Sequence, residues 1–139
     1  MAEPVRVYVD MVGDLFHAGH VALLRAAREL GDQLVVGVLS DDAAAAYKRR
    51  PIMTLAERVV VIESCRYVDE VIPGAPLRLT AEFLHEHDLT LVVHGDDVDD
   101  EVAADVYGPA ASTGRLRLVP RSGSISTTDL IARVRERPE

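Results

Sequence analysis

Hydrophobic residues along this chain follow two patterns that alternate from one end to the other. Continuous apolar runs, largely of β-branched residues, predict strands, and apolar positions three or four residues apart predict helices. The strands are predicted over residues 5–12, 34–39, 68–72, 89–94 and 116–119. The helices are predicted over residues 20–30, 54–65, 80–87, 102–111 and 126–136, with a short alanine-rich helix after residues 40–42.

The alternation of strand and helix indicates the α/β class and one architecture within it. Repeated β-then-α units favour a doubly wound, five-stranded parallel sheet with helices on both faces. A chain of 139 residues has room for one core of ordinary size, so we expect a single domain over residues 1–139. We expect Pro73-Gly74 to end the third strand. Such sheets bind ligands at the carboxyl ends of their strands.

Composition and charge limit the partners that the chain can have. Hydrophobic residues make up 48% and charged residues 27%, which is the balance of a folded domain rather than a disordered chain. The net charge of −8 argues against nucleic acids and anionic membranes. The apolar runs are too short to span a membrane, and residues 1–4 carry no secretory signal. The lone Cys65 fits a reducing, cytoplasmic location.

A strand-to-helix turn carries the first candidate chemistry. Residues 13–20 are Gly-Asp-Leu-Phe-His-Ala-Gly-His, directly after the first predicted strand. We expect a helix to begin at His20, so that His17 and His20 lie near free backbone N–H groups and donate hydrogen bonds to phosphate. Gly19 lets the backbone approach a ligand closely. The residues also fit two surface histidines or half a metal site, although the other ligands of a zinc site are not spaced nearby.

A second candidate turn follows the fifth predicted strand and opens the last helix. Residues 121–128 are Arg-Ser-Gly-Ser-Ile-Ser-Thr-Thr. The glycine and hydroxyls favour an anion-binding nest of backbone N–H groups, and Arg121 adds a planar donor group suited to phosphate. Taken alone, this turn favours an ordinary Ser/Thr-capped helix. We expect the strands before the two turns to lie near each other, so the turns could hold two ends of one polyphosphate.

A basic loop follows the second strand at residues 47–51, Tyr-Lys-Arg-Arg-Pro. An acidic protein must hold an anion with a few placed groups, and Lys48 is the only lysine of the sequence. The loop is expected to lie over the ligand edge of the sheet and to be mobile without substrate. On its own, Lys48 fits a solvated residue at a helix end. The sequence leaves open which of Arg49 and Arg50 faces the site.

In this order, the segments resemble the cytidylyltransferase family, within the wider nucleotidyltransferases that carry a His-x-Gly-His motif. The chain is similar to enzymes that activate phosphocholine, phosphoethanolamine and glycerol 3-phosphate, and the resemblance implies a Rossmann-like fold. At residues 11–14 the family usually has Gly-x-Phe-Asp, whereas this chain has Met-Val-Gly-Asp. The resemblance covers nearly the whole chain and is carried by residues 14–20, 36–38, 40–42, 47–51, 57–58, 66–71, 93–97 and 125–128.

The resemblance implies transfer of a cytidylyl group from CTP to a phospho-alcohol, with release of pyrophosphate. It implies that His17 and His20 hold the triphosphate, that Lys48 bridges the α-phosphate and the acceptor phosphate, and that Arg121 grips the outer phosphates. It also implies Mg²⁺ carried by the nucleotide phosphates, with no metal ligands on the protein. For Asp14, a structural role in the first loop and contact with the ligand both remain open. The implied nucleotide-binding residues are Val12, Gly13, Asp14, Gly19, Ile125, Ser126, Thr127 and Thr128.

The acceptor end differs from that of the choline-type enzymes. They carry tryptophan where Leu77 stands, and this chain has no tryptophan with which to cage a quaternary ammonium. Phosphocholine is therefore disfavoured, and phosphoethanolamine, glycerol 3-phosphate and 2-hydroxyethylphosphonate remain candidates. A packed strand-end histidine and a solvated acidic loop are the alternatives at residues 94–101. The predicted acceptor-binding residues are Arg66, His94, Asp96, Asp97 and Tyr107.

Two other functions remain open from the sequence. One is adenylyl transfer, because the wider superfamily also uses ATP, and the other is a non-catalytic nucleotide-binding module. By resemblance, residues 66–69 belong to a homodimer interface. The chain fits both a free-standing enzyme and one domain of a longer protein.

Overall fold

A computed structural model describes residues 3–120 and 125–138 of the chain. The strands are β1 (Arg6–Met11), β2 (Gln33–Leu39), β3 (Glu70–Ala75), β4 (Leu91–Gly95) and β5 (Leu116–Val119). The helices are α1 (Ala18–Arg28), α2 (Asp41–Tyr47), α3 (Leu55–Glu63), α4 (Ala81–Glu86), α5 (Asp100–Val106), α6 (Gly108–Ala111) and α7 (Thr127–Glu136).

The strands form one parallel sheet in the order β3-β2-β1-β4-β5. The chain runs outward from β1 to β3, returns to the other side of β1 with β4, and continues to β5. The strand order therefore reverses between β1 and β4, which makes their carboxyl ends the expected ligand site. This topology confirms the predicted doubly wound, five-stranded parallel sheet.

Alternate residues of β1 pack into two cores on opposite faces of the sheet. Val7 and Val9 face a core that includes Leu24 of α1 and Ile62 of α3. Tyr8 faces a second core built with α4, α5 and α6, which the structure forms around Leu79, Leu84, Val92, Val106 and Ala110. Burial on both faces explains why the central strands are nearly continuous apolar runs. It also confirms that helices cover both faces.

Two elements differ from the sequence prediction. β3 continues through Pro73 and Gly74 to Ala75, and its pairing with β2 shifts between Val38 and Leu39. Proline is tolerated here because β3 is an edge strand, where a missing N–H breaks no ladder on the open side. The predicted helix over residues 102–111 is two short helices that meet at Tyr107, with a proline in the first turn of the second.

No helix among the described residues combines the length and apolar composition that crossing a membrane requires.

Candidate functional site

A cleft of about 280 Å³ opens at the carboxyl ends of β1 and β4. It lies at the switch point of the sheet, where the topology favours a ligand. The loop after β1, the end of α2 and the start of α7 all contribute to its walls. The predicted site residues that line it are Val12, Gly13, Asp14, His17, Gly19, His20, Lys48, His94, Asp97, Ile125, Ser126 and Thr127.

Two histidines cap the N-terminus of α1. The Nδ1 atom of His17 accepts a hydrogen bond from the Gly19 backbone N–H at 3.0 Å. The Nδ1 atom of His20 accepts one from the His17 backbone N–H at 3.1 Å, which completes a reciprocal cap. Because this cap satisfies the first turn, the helix begins at Ala18 and not at His20. Since both Nδ1 atoms accept, each ring carries its proton on Nε2.

A hydrogen-bonded chain joins the two predicted phosphate-binding turns. The Nε2 atom of His17 lies 3.3 Å from the Thr127 hydroxyl, which itself donates to the Asp14 backbone carbonyl at 3.1 Å. The Thr127 oxygen therefore accepts from His17. β4 separates the strands that precede the two turns, but the turns themselves meet. We call His17, His20 and Thr127 the histidine wall.

Gly19 makes this close meeting possible. A Cβ atom at Gly19 would lie 2.8 Å from the Ile125 carbonyl oxygen and 2.8 Å from Cε1 of His17. The sequence predicted that the glycine would let the backbone approach a ligand. In the structure it lets the first helix and the turn before α7 approach each other.

The histidine wall holds His20 in its neutral form. Burial lowers the pKa of His20 from 6.5 to about 4; His17 acts in the same direction, and Asp14 opposes it. The His20 ring stacks on Phe16 with the centroids 5.3 Å apart and lies 3.9 Å from the His17 ring. Near neutral pH, His20 is therefore an uncharged hydrogen-bond donor through Nε2.

The loop between β1 and α1 anchors a distant part of the chain. The two carboxylate oxygens of Asp14 accept hydrogen bonds from the backbone N–H groups of Ile52 and Met53, at 2.8 and 3.0 Å. This is the structural role that the sequence left open for Asp14. The preceding Gly13 has φ +70°, and a Cβ there would lie 2.5 Å from Ile62. The glycine gained in this loop is therefore required by its backbone.

A buried arginine holds the same region from the other side. The Arg58 guanidinium is fully buried and pairs with Asp41 at the start of α2. It also donates to the backbone carbonyls of Val12, Leu39 and Met53. These contacts tie the ends of β1 and β2 to the chain on both sides of residues 48–50. Arg58 is part of a sequence segment that carries the family resemblance, but the sequence predicted no role for it.

Residues 48–50, which we call the basic segment, lie between these anchors. Lys48 is the exposed C-cap of α2 and lines the cleft. Arg49 is half-buried, also lines the cleft, and donates to the Thr128 hydroxyl at 3.2 Å. Arg50 is exposed and lies 4.0 Å from the Asp42 carboxylate. The structure thus indicates that Arg49, and not Arg50, faces the site.

Asp10 was missed from the sequence and lies at the inner end of the cleft. The residue is 6% exposed, and its carboxylate accepts a hydrogen bond from the Tyr107 hydroxyl at 2.8 Å through Oδ1. Its other oxygen, Oδ2, has no hydrogen-bond partner among the described residues. Burial raises the pKa of Asp10, against the opposing effects of Tyr107 and His94. A carboxylate inside the apolar run 5–12 was the signal that could have identified it.

A smaller pocket of about 50 Å³ also borders Asp10 and shares part of its lining with the main cleft. Tyr107, which the sequence placed at the acceptor, lines this pocket and not the main cleft. His94 lines both, with its ring centroid 5.3 Å from that of Tyr107. Leu77 and Val102 form part of its apolar wall.

The structure leaves some predicted residues outside the cleft lining. The Asp96 backbone N–H donates to the Val119 carbonyl at 2.8 Å, and Thr128 contacts the cleft through Arg49. Arg66 is exposed in the turn that precedes β3, at the amino end of that strand and away from the carboxyl edge. Arg121, predicted to grip the outer phosphates, lies outside the described residues, as do Ser122, Gly123 and Ser124.

The carboxyls of the cleft differ in what they can offer a cation. Both oxygens of Asp14 are bound to backbone N–H groups, and Oδ1 of Asp10 is bound to Tyr107. Within residues 3–120 and 125–138, no group of three or more His, Cys, Asp or Glu side chains is arranged to hold a metal ion. A divalent ion in this cleft would need oxygen ligands from a bound substrate.

The sheet order and the position of the cleft define a Rossmann-like α/β protein with its site at the topological switch point. A family model described as cytidylyltransferase-like matches residues 13–133. The chain therefore belongs to the cytidylyltransferase-like family, as its sequence segments predicted.

Individual relatives agree with this assignment. The chain is 43% identical over 133 residues to an ethanolamine-phosphate cytidylyltransferase of Dictyostelium discoideum, covering 95% of this chain and 37% of the relative. It is 42% identical over 135 residues to human choline-phosphate cytidylyltransferase A, covering 94% and 36% of the two chains. The chain thus spans little more than a third of the length of these relatives.

A solved structure shares the fold over most of this chain. The lipopolysaccharide core biosynthesis protein of Thermoplasma volcanium GSS1 superimposes with a TM-score of 0.69 at 26% identity. The match covers 89% of this chain and 100% of that protein.

Proposed function

We propose that the chain transfers the cytidylyl group of CTP to a small phospho-alcohol and releases pyrophosphate. The observation that carries the proposal is the cleft itself, which brings His17, His20, Thr127 and Lys48 together at the switch point. Neutral donors on one side and a flexible cation on the other are suited to phosphoryl transfer, where catalysis is mostly positioning and charge stabilisation. The relatives named ethanolamine-phosphate and choline-phosphate cytidylyltransferase support it.

The reaction follows from the arrangement of donors. An oxygen of the acceptor phosphate attacks the α-phosphorus in line, a new P–O bond forms, and the bond from that phosphorus to the bridging β-oxygen breaks. In this proposal the His20 Nε2–H group donates to a phosphate oxygen where negative charge develops, and the His17 Nε2–H group does so by exchanging the Thr127 hydroxyl for a phosphate oxygen. Both rings are already oriented by their Nδ1 contacts, so neither ring needs to rotate during the reaction. His20 is neutral before substrate arrives, so it acts as a donor and not as a counter-ion.

Lys48 contributes the positive charge that the histidine wall lacks. Two anionic substrates must approach each other in a protein of net charge −8. An exposed ammonium on the basic segment can contact both the α-phosphate and the acceptor phosphate and follow them as the bond forms. Among the described residues, Lys48 is held through its backbone and its neighbours, which leaves the ammonium available to the substrates.

Phosphoethanolamine is the acceptor that the inner end of the cleft fits best. Oδ2 of Asp10 is buried without a hydrogen-bond partner among the described residues, and such an oxygen favours a strong donor. A primary ammonium provides both the donor and the charge that keeps the Asp10 carboxylate ionised. The phosphate of the same molecule would then point toward Lys48 and the nucleotide.

The apolar wall of the smaller pocket argues against a quaternary ammonium. Leu77 and Val102 stand there beside Tyr47 and Tyr107, and the Tyr107 hydroxyl is already hydrogen-bonded to Asp10. A trimethylated nitrogen has no N–H to give to Oδ2 and prefers several aromatic faces. Glycerol 3-phosphate and 2-hydroxyethylphosphonate could offer a hydroxyl to Asp10, but without the compensating charge.

Three further properties belong to the proposal. Mg²⁺ bound to the nucleotide phosphates would neutralise part of their charge. Both carboxylate oxygens of Asp14 already accept backbone hydrogen bonds, which is consistent with a metal ion that is bound mainly by phosphate oxygens.

A homodimer through residues 66–69 is supported by the exposed turn that carries Arg66. A cytoplasmic location is supported by the single cysteine of the chain. Light scattering that reports 15.2 kDa at assay concentration would contradict the dimer.

The test of the reaction is pyrophosphate release from CTP or ATP with a panel of acceptors, namely phosphoethanolamine, phosphocholine, glycerol 3-phosphate and 2-hydroxyethylphosphonate. We expect turnover with CTP and phosphoethanolamine. Turnover with ATP alone would support adenylyl transfer instead. Tight nucleotide binding without turnover of any pair would support a binding module.

The test of the acceptor assignment is Asp10→Asn, which keeps the side-chain shape and removes the charge. We expect KM for phosphoethanolamine to rise at least roughly tenfold while KM for CTP changes little. Glycerol 3-phosphate, which has no ammonium, serves as the matched control, and its KM should change less. Equal changes for both acceptors would contradict an ammonium site at Asp10.

A further inference from the structure

We propose that Arg49 binds the outer phosphates of the nucleoside triphosphate at the mouth of the cleft. This inference rests on the proposed function for the identity of the ligand and adds a residue to its binding site. Arg49 is the member of the basic segment that turns toward α7, where its guanidinium donates to the Thr128 hydroxyl at 3.2 Å. That contact joins residues 79 positions apart across the opening.

The side-chain environment of Arg49 differs from that of the other arginines nearby. Arg58 is buried against the Asp41 carboxylate, and Arg50 lies near the Asp42 carboxylate outside the cleft. The bond from Arg49 instead goes to a neutral hydroxyl in the first turn of α7. A guanidinium gains more from a phosphate than from a hydroxyl, because it makes paired, charge-assisted hydrogen bonds with two phosphate oxygens. Arg49 is therefore placed beside the cleft with a contact that a phosphate can replace.

The charge balance of the cleft also calls for Arg49. Among the described residues of the lining, Lys48 and Arg49 are the full cations, whereas Asp10, Asp14 and Asp97 are acidic. His20 adds no charge near neutral pH, because its pKa is about 4. If Lys48 serves the α-phosphate and the acceptor, Arg49 is the cation of the described lining that remains for the outer phosphates, beside Arg121, to which the resemblance assigns the same phosphates. Arg49 lies next to the start of α7, whose first-turn N–H groups favour anions.

The phosphates that Arg49 contacts leave as pyrophosphate. A guanidinium at the mouth of the cleft would stabilise the charge that gathers on this leaving group as the bond to the α-phosphorus breaks. It would also have to release the pyrophosphate afterwards, and exchange back to the Thr128 hydroxyl provides a partner for the emptied side chain. Arg49 is thus a binding residue for both the substrate and the second product.

The experiment compares Arg49→Gln with Arg50→Gln, which removes the same charge from the neighbouring position outside the cleft. Binding of CTP, CMP and inorganic tripolyphosphate to each variant is measured by titration calorimetry in the presence of Mg²⁺. For Arg49→Gln we expect CTP and tripolyphosphate to bind roughly 10- to 100-fold more weakly, with CMP unchanged. For Arg50→Gln we expect all three affinities to stay near those of the parent. Unchanged CMP binding also shows that the variant is folded.

Three results would overturn the proposal. They are unchanged CTP binding in Arg49→Gln, equal weakening of CTP and CMP, and an equal effect of Arg50→Gln, which would reflect net charge alone. Tripolyphosphate contains no base and needs no acceptor, so this comparison tests Arg49 even if the panel assay shows no cytidylyl transfer. As a second variant, Thr128→Val should weaken CTP binding less than Arg49→Gln, because it removes the prepositioning contact and keeps the cation.

Discussion

The two sides of the cleft are built by opposite means. On one side, the histidine wall is fixed by its own hydrogen bonds: each imidazole is oriented by a backbone N–H, and Thr127 links His17 to the carbonyl of Asp14. On the other side, the basic segment is held at its base by Asp14 and Arg58, and Lys48 remains exposed. The first side has fixed dipoles with little charge, and the second has charge with few constraints.

This difference matches two different tasks in the proposed reaction. Charge that develops at a defined position on the nucleotide is best met by donors that do not move. Two anions that must approach each other are better served by a cation that can move with them. Variants on the two sides should therefore change different kinetic constants. We expect changes in the basic segment to affect kcat and KM for the acceptor, and changes in the histidine wall to affect mainly kcat.

The largest effect is expected at Lys48. We expect Lys48→Ala to lower kcat by roughly 10³-fold and to raise KM for the acceptor, because the charge that joins the two phosphates is lost. Lys48→Arg should restore part of the activity only, since a guanidinium is flatter and bulkier than an ammonium. Steady-state kinetics check both variants. Thermal stability should change little. If Lys48→Ala turns over at the parental rate, Lys48 has no catalytic role and is only a solvated loop residue.

The next effect is expected on the rigid side. His20→Ala should lower kcat by roughly 10²-fold while affinity for CTP falls less, because the donor acts mainly on charge that develops in the transition state. The measurement is kcat together with the dissociation constant of CTP. A loss that appears in CTP affinity alone would remove the contrast between the two sides of the cleft.

A smaller effect is expected where the two sides share an anchor. In Asp14→Asn, one of the two backbone N–H groups of Ile52 and Met53 would face an amide NH₂ instead of an oxygen. We expect a loss of about 1–3 kcal/mol in the free energy of unfolding and a several-fold fall in kcat, since the base of the basic segment is loosened. Urea denaturation and steady-state assays measure these changes. Unchanged stability would mean that Arg58 alone holds this region.

The smallest expected effect concerns pH. The pKa of His20 is about 4 in the folded protein and lies near its ordinary 6.5 when unfolded. Between these values the unfolded chain binds more protons, so this residue lowers stability as pH falls from about 6.5 to about 4. His20→Gln should show a shallower decline than the parent over that range in urea denaturation. Comparing the two proteins removes the contributions of Asp10 and other carboxyls, and parallel curves would contradict a neutral His20.

The elements that depend on local pattern could be predicted from the sequence. β5 occupies the predicted residues 116–119, and the capping box at Thr54 starts α3 as expected. The end of β3 could not be predicted locally, because Pro73 is permitted only by the edge position of that strand. The start of α1 was misplaced since histidines are not ordinary capping residues, yet His17 fills that position here.

The site could be predicted less completely than the fold. The two turns and Lys48 were predicted because glycine, histidine and a single lysine stand out in an acidic chain, and the structure places residues of both turns and Lys48 in the cleft lining. Deciding whether Arg49 or Arg50 faces the cleft required the direction of each side chain. The spacing of residues in the sequence does not give that direction. Asp10 could be identified only once its strand was known to be buried on both faces. A carboxyl group is unfavourable in such a place unless it has a hydrogen-bond partner or a ligand. Tyr107 was predicted to bind the acceptor, but it lies outside the lining of the main cleft, and its hydroxyl donates to Asp10.

The chain of hydrogen bonds through Thr127 also has a consequence for the order of folding. It closes contacts between residues separated by 110 and 113 positions in the sequence. Loop closure over such separations is entropically unfavourable and is usually completed late, after contacts between nearby residues have formed. During synthesis, the sheet core of β1 and β2 can assemble while residue 127 has yet to leave the ribosome. We therefore expect nucleotide-binding competence to be acquired at the last stage of folding, when α7 docks.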